Sequence, residues 1–238
     1  MGDRMGIVFE AFGREIYIHD AIINSWVIVI ALSIFAIIVG TKLKKVNPSD
    51  KPTGIQNVLE LLVEGVRSLV TSTMGAGKTR DFLMPYIGTL AIYLACANLF
   101  GLLGFTPPTS DFNVTLALAI ITFVMTQYYG LKTNGLGGYI KGYFEPVPFL
   151  VPLNIIGEIA NPISLSFRLF GNILSGVIIM GLIYQGFASL GLLGWLGPIV
   201  TPIFHAYFDI FSGLIQTFIF IMLTMVFVGG NLPEKENA

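Results

Sequence analysis

The chain has 238 residues, of which 54% are hydrophobic and 11% charged, with a formal net charge of -1 and a mean hydropathy of +0.79. That balance is too apolar for a soluble globular domain, and it leaves no global field to attract nucleic acid or an acidic substrate. The single cysteine, Cys96, lies in an apolar run, which excludes a disulfide framework or a thiolate metal cluster and leaves a small packing residue.

Residues 1–20 are expected to form an external N-terminal segment, in which Asp3, Glu10, Glu15 and Asp20 mix with Arg4 and Arg14 and no cleavable signal is evident. Residues 21–42 are apolar enough for a first transmembrane helix. Lys42, Lys44 and Lys45 follow it and place the first loop in the cytoplasm, with Asn47-Pro48 and Lys51-Pro52 closing the turn. Over residues 55–73 the apolar positions Ile55, Val58, Leu59, Leu62, Val66, Leu69 and Val70 recur at helical spacing among Glu60, Glu64 and Arg67. This pattern predicts an amphipathic helix lying flat at the interface. Residues 82–131 read as a transmembrane hairpin, with spans at 82–104 and 113–131 around the segment F-T-P-P-T-S-D. Residues 132–149, with Lys132, Lys141 and Gly135-Leu136-Gly137-Gly138, read as a flexible cytoplasmic connection. Two apolar segments then fill residues 150–230, before a cytoplasmic tail at 231–238.

The fold expected is an all-α membrane protein of about five transmembrane helices plus an interfacial helix, with its N-terminus outside and its C-terminus in the cytoplasm. The last two apolar segments are much longer than the ~20 residues that cross a bilayer. They must therefore tilt, run along the membrane plane or break. Gly181, Gly186, Gly191 and Gly194 supply places to bend near the tip of this long tilted hairpin, and Gly197-Pro198 starts its final helix.

Between Pro146 and Pro233 the only formal charges are Glu158, Arg168 and Asp209, with His205 as a further titratable group. An arginine at membrane depth costs from a few to more than ~10 kcal/mol, so it is kept only where a partner or a water-filled cavity receives it. Glu158, Asn161, Ser164, Arg168, Asn172 and Ser175 follow one another at offsets of three or four and so share one helical face. His205, Asp209, Ser212 and Gln216 repeat that spacing on the last segment, so the hairpin can set two polar faces against each other or against a third element. Taken singly, the serines and asparagines fit ordinary interhelical hydrogen bonding. Arg168 does not, because a structural arginine belongs near a helix end where it can snorkel. Asp209 and Glu158 can be neutral in an apolar setting or ionised beside a cation, and an intramembrane acid can take up a proton from one aqueous phase and pass it on.

Two glycine-rich stretches do not make nucleotide sites. Gly75-Ala76-Gly77-Lys78-Thr79 resembles the end of a phosphate-binding loop, yet Ser72 stands where its first glycine belongs and an amphipathic helix precedes it. Gly135-Leu136-Gly137-Gly138-Tyr139 lacks the strand and acidic partner of a dinucleotide site. No cofactor or metal site is expected.

The run P-I-S-L-S-F-R-L-F-G-N-I-L-S-G from Pro162 to Gly176, followed by I-Q-T-F-I-F-I-M-L-T-M-V-F from Ile215 to Phe227, closely resembles subunit a of the membrane sector of F-type ATP synthases. L-E-L-L-V-E-G-V in the surface helix, N-L-F-G-L-L-G-F-T-P-P-T from Asn98 to Thr109 and the V-T-L-A-L-A helix occur in the family's order. The resemblance implies a non-catalytic stator in a bacterial plasma membrane, with the b-subunit peripheral stalk and the rest of the synthase as partners. It implies two offset half-channels that pass protons or sodium to a rotating ring of c subunits. Arg168 matches the family's essential arginine, which faces the ring carboxylate. Gln216 matches the glutamine near that arginine, and Asn172 the asparagine one turn after it. Asp209 falls at a half-channel position often filled by a histidine or an acid. Nine residues after the arginine many bacterial members carry a glutamate, and here that position is Val177. Intake on that side must then rely on Asp209 and, with it, His205.

Two other readings compete with this one. A self-contained channel or transporter is disfavoured because no internal repeat or pair of broken helices is visible. In a purely structural scaffold, loss of Arg168 would disturb assembly and spare transport.

Overall fold

The structure is a computed structural model that describes residues 6–11, 14–44, 54–75, 77–145 and 147–232. It is helical almost throughout. Among the described residues five helical segments are long and apolar enough to cross a membrane: Asp20–Leu43, Lys78–Leu103, Phe112–Tyr143, Pro148–Ser189 and Gly194–Gly229. The apolar runs and the helices therefore agree on an all-α membrane protein with five spans among the described residues. Lys45, Asn47-Pro48, Lys51-Pro52 and the tail beyond Leu232 lie outside the described residues.

One short element precedes the helices. Strands β1 (Gly6–Ala11) and β2 (Arg14–His19) pair antiparallel, with Gly6 opposite His19 and Ala11 opposite Arg14. The β-branched and aromatic residues of I-V-F and I-Y-I suit a strand, whereas the charges scattered between them had marked this stretch only as polar and external. Helix α1 (Asp20–Leu43) starts directly after β2, with the Asp20 carboxylate accepting the Ala21 N–H at 2.9 Å and placing negative charge at the helix N-terminus.

The chain forms two compact units, and the long helices contribute to both. The first gathers Met1–Leu32, Tyr93–Thr115 and Ser166–Phe218, and the second Ser33–Ile92, Leu116–Leu165 and Ile219–Ala238.

The second unit holds the main apolar cluster. Helix α2 (Ile55–Met74) sets Val70 and Met74 against Leu83 and Ile87 of α3 (Lys78–Leu99), Tyr129 of α4 (Phe112–Tyr143) and Ile221, Met225 and Val228 of α7 (Gly213–Gly229). Only the C-terminal half of α2 is packed in this way. Ile55, Val58, Leu61, Leu62 and Val63 are exposed, an apolar area suited to lipid and not to water. The α2 C-terminus is closed by Arg80, which is 5% exposed and donates its Nε–H to the Met74 carbonyl. Gly75 and Gly77 of the phosphate-loop-like stretch thus lie between two helices, with Arg80 as a buried cap.

Two expectations need correction. Residues 132–143 of the expected flexible connection are helical, because α4 runs on to Tyr143 with a kink at Gly135, where φ is 66° and ψ 167°. Glycine adopts that left-handed backbone without strain, so the cluster of glycines bends a helix instead of ending it. On the hairpin, α5 (Val151–Ser189) passes through Gly181 and Gly186 unbroken. The turn begins at Gly191 (φ 57°), and a 3-10 segment, Gly191–Leu196, leads into α6 (Gly197–His205) with Pro198 in its first turn. Between α6 and α7 the chain is π-helical over Ala206–Ser212.

Candidate functional site

Within the first unit, Arg168 projects from α5 as an exposed side chain. No hydrogen bond or ion pair to it is formed among the described residues. On the same helix Leu165, Leu169 and Ile173 are buried, so helical geometry puts the guanidinium on the outward side. Asn172, half-buried, donates through Nδ2 to the Ser212 hydroxyl at 2.8 Å, tying α5 to the π-helical segment. Gln216 is 4% exposed, and its Nε2 finds no hydrogen-bond partner among the described residues. A buried amide N–H left in this way costs ~1–3 kcal/mol.

Asp209 and His205 meet. The His205 Nδ1 is hydrogen-bonded to the Asp209 carboxylate, and the His205 Nε2 to the Tyr184 hydroxyl of α5. The π-helical segment disturbs the α-periodicity that put His205, Asp209, Ser212 and Gln216 at equivalent offsets, and single π-turns of this kind concentrate at functional sites. His205 accordingly engages both Tyr184 and Asp209, whereas Ser212 engages Asn172. The Asp209 carboxyl also lies beside the backbone of Gly101, where an added Cβ would come within 3.8 Å of it and 3.3 Å of Pro107.

The first unit also contains polar groups that the sequence reading passed over. The Thr106 hydroxyl donates to Asp20 Oδ2 at 2.5 Å, Asn24 donates to the Thr106 carbonyl at 2.9 Å, and His19 Nδ1 lies 2.8 Å from Asp20 and 3.9 Å from Asp111. Asn98, 2% exposed, donates to the Gly213 carbonyl at 3.0 Å and to Thr217 at 2.9 Å, and accepts from Thr109 at 2.6 Å. The proline-containing turn thus carries two separate sets of polar contacts, Thr106 with Asp20 and Asn24, and Thr109 with Asn98. A charge at a helix start followed by a Thr-Pro-Pro-Thr turn was their only trace in the sequence.

Glu158 belongs to the second unit. Its carboxylate accepts from Gln127 Nε2 at 2.8 Å and from the Tyr139 hydroxyl at 2.9 Å, and that hydroxyl also bonds Gln127 Oε1 and lies 3.0 Å from the Tyr143 hydroxyl. Three cavities adjoin it, and a mostly apolar one of about 310 Å³ is lined by Gln127 as well. One of about 270 Å³ is lined by Thr122, Thr126, Asn161 and Asn231 besides Glu158, and one of about 450 Å³ by Tyr139, Asn154, Asn161 and Asn231. Gln127 and Tyr139 had been missed because both come from another helix, Tyr139 from beyond the kink at Gly135.

An apolar polytopic fold with an outward arginine and carboxylates held in polar niches defines an ion-handling membrane protein. The family described as ATP synthase A chain matches residues 22–229, and the chain belongs to it. Similar proteins include the ATP synthase subunit a of Bacillus pumilus strain SAFR-032, 39% identical over 79% of this chain and 83% of that protein. That of Priestia megaterium is 41% identical over 75% of this chain and 78% of its own length. In Pelobacter propionicus the ATP synthase subunit a 3 is 34% identical over 90% of this chain and 88% of that protein. The chain serves as the stator subunit of the membrane sector, in ion translocation coupled to ATP synthesis.

Proposed function

We propose that this non-catalytic subunit hands protons to and from the carboxylates of a c-subunit ring through two half-channels, and that Arg168 separates them. The observation that carries this reading is Arg168 itself, exposed on α5 with no partner among the described residues. A guanidinium at membrane depth needs a counter-charge, and a ring carboxylate ionised beside it would supply one. In this reading Asn172 and the buried Gln216 amide flank the arginine. Asp209, with His205, is the exchanging acid of one half-channel, and Asp20, His19 and Asp111 line its approach. Glu158 and its cavities serve the other.

The orientation with the N-terminus outside and the C-terminus cytoplasmic follows from Lys42, Lys44, Lys132 and Lys141 falling on one side. It makes the Glu158 path the cytoplasmic one and the Asp209 path the external one, in a bacterial plasma membrane. The amphipathic α2 offers the b-subunit peripheral stalk a surface at that interface.

Disulfide trapping tests the arrangement. In a Cys96→Ser background, a cysteine at Ser164 or Ser175, on the Arg168 face, should cross-link to a cysteine placed beside the ring carboxylate, and one at Leu169, which is buried, should not. Efficient cross-linking from Leu169 with none from the Arg168 face would overturn the assignment.

A further inference from the structure

Exposure falls along the contacts that end on Asp209. Tyr184 is 48% exposed, the His205 side chain 28% and the Asp209 side chain 16%. Tyr184 also lines an open cavity of about 440 Å³ at the hairpin tip, walled by Phe187, Ala188, Trp195, Pro198 and Thr201. Two groups able to exchange protons, Tyr184 and His205, thus lead from a cavity to a half-buried carboxylate.

We propose that Tyr184 and His205 form a proton relay from the hairpin-tip cavity to Asp209. The inference rests on the reading of Asp209 as an exchanging acid. With the Tyr184 hydroxyl donating to Nε2, the other ring nitrogen carries its hydrogen and points it at the carboxylate, the tautomer a relay requires. A hydronium in the cavity gives its proton to the Tyr184 oxygen as that oxygen passes its own to Nε2. The imidazolium so formed gives its Nδ1 proton to Asp209. One proton has then moved from water to the carboxylate, Tyr184 is again a phenol, and His205 is neutral in its other tautomer. Rotation of the ring resets it after Asp209 has passed its proton on. The titratable groups in contact with the imidazole are Tyr184 from α5 and Asp209 from its own segment, and the Asp209 carboxyl otherwise meets the uncharged backbone at Gly101. Tyr184 is a positioning residue that also conducts.

The test measures proton flux per assembled synthase in proteoliposomes, for His205→Ala, Tyr184→Phe, Ala188→Trp and Asp209→Asn. Flux in His205→Ala should fall ~10-fold or more, within the range that loss of a general acid-base group produces. Tyr184→Phe should fall several-fold. Millimolar imidazole should restore part of the flux in both, because a diffusible acid can reach Asp209 or Nε2 directly, whereas a merely structural defect would not respond to it. Ala188→Trp, which fills the cavity, should slow the otherwise unaltered complex and abolish imidazole rescue of His205→Ala. His205→Gln covers the case in which the alanine variant fails to assemble. Impaired flux in Asp209→Asn with normal flux in His205→Gln or Tyr184→Phe overturns the relay and leaves Asp209 supplied by another route. Slow variants that imidazole does not restore overturn it as well. Normal flux in Asp209→Asn overturns the underlying reading instead.

Discussion

The two carboxylates of the long hairpin are held in opposite ways. Glu158 is gripped by an amide and a phenol, at 2.8 and 2.9 Å, neither of which changes charge near neutral pH. Asp209 is held by an imidazole, whose two ring nitrogens can each accept or donate a proton. A carboxylate held by non-titrating donors is kept in place, and its protons must come from water in the cavities beside it. One held by a histidine can be loaded through its partner. Similar ingredients, an acid and a tyrosine, thus make a fixed acceptor in one unit and a loadable one in the other. Arg168 belongs to neither cluster.

That separation gives the largest expected effect. Arg168→Ala or Arg168→Gln should abolish ATP-driven pumping and open a passive leak, while both carboxylate clusters stay intact. Arg168→Lys should fail too, since an ammonium lacks the planar fork and loses its proton more readily in an apolar setting. Normal coupled pumping in the lysine variant, measured by fluorescence quenching in vesicles, would remove Arg168 from the mechanism. Next in size is Asp209→Asn, which keeps hydrogen-bonding shape and loses proton exchange, with an expected fall in translocation of ~10²-fold. Val177→Glu in that background should recover part of the rate, if both positions line one aqueous path. Wild-type flux in Asp209→Asn over the whole accessible pH range would reduce the residue to a structural hydrogen-bonder.

How far this comparison could be anticipated depended on the range of the signal. The five spans, the amphipathic α2 and the isolation of Arg168 were legible, because apolar run length and a charge within it are local properties of the chain. The pairings were not. Whether His205 meets Asp209 depends on a π-helical stretch that shifts the period within a single turn, and whether Tyr184 meets His205 depends on the register of the hairpin. Tyr139 was assigned to a loop because Gly135, Gly137 and Gly138 outweighed the helical residues around them, although only Gly135 departs from helical angles. The strand pair before α1 went unread because its charges obscured a short β pattern.

A smaller effect probes the fixed acceptor. Glu158→Gln should slow translocation less than Asp209→Asn, because the cavities beside it keep other polar groups, Asn161 and Asn231 among them, in contact with water. The comparison is read as relative flux per assembled complex at one pH. A Glu158→Gln defect equal to that of Asp209→Asn would mean that the two acids carry the same load and that the distinction drawn from their partners is empty.

The smallest expected effect addresses the grip on Glu158 itself. Tyr139 reaches Glu158 by lying across α4 at Gly130, where an added Cβ would sit 2.7 Å from the Tyr139 ring and 3.0 Å from Asn231 Oδ1. Gly130→Ala must therefore push the ring or Asn231 aside. The hydrogen bond from the Tyr139 hydroxyl to Glu158 is lost in the first case, at a cost of ~1–3 kcal/mol for a polar group left unsatisfied. Tyr139→Phe removes the same bond with no steric change. Each variant should lower flux by about two- to tenfold through poorer holding of Glu158. Because they remove one shared interaction, the double variant Gly130→Ala/Tyr139→Phe should be no slower than the worse single one. Defects that multiply in the double variant would show that Gly130 serves another contact, with Asn231 the first to examine, and that Tyr139 does not hold Glu158 through its placement over α4.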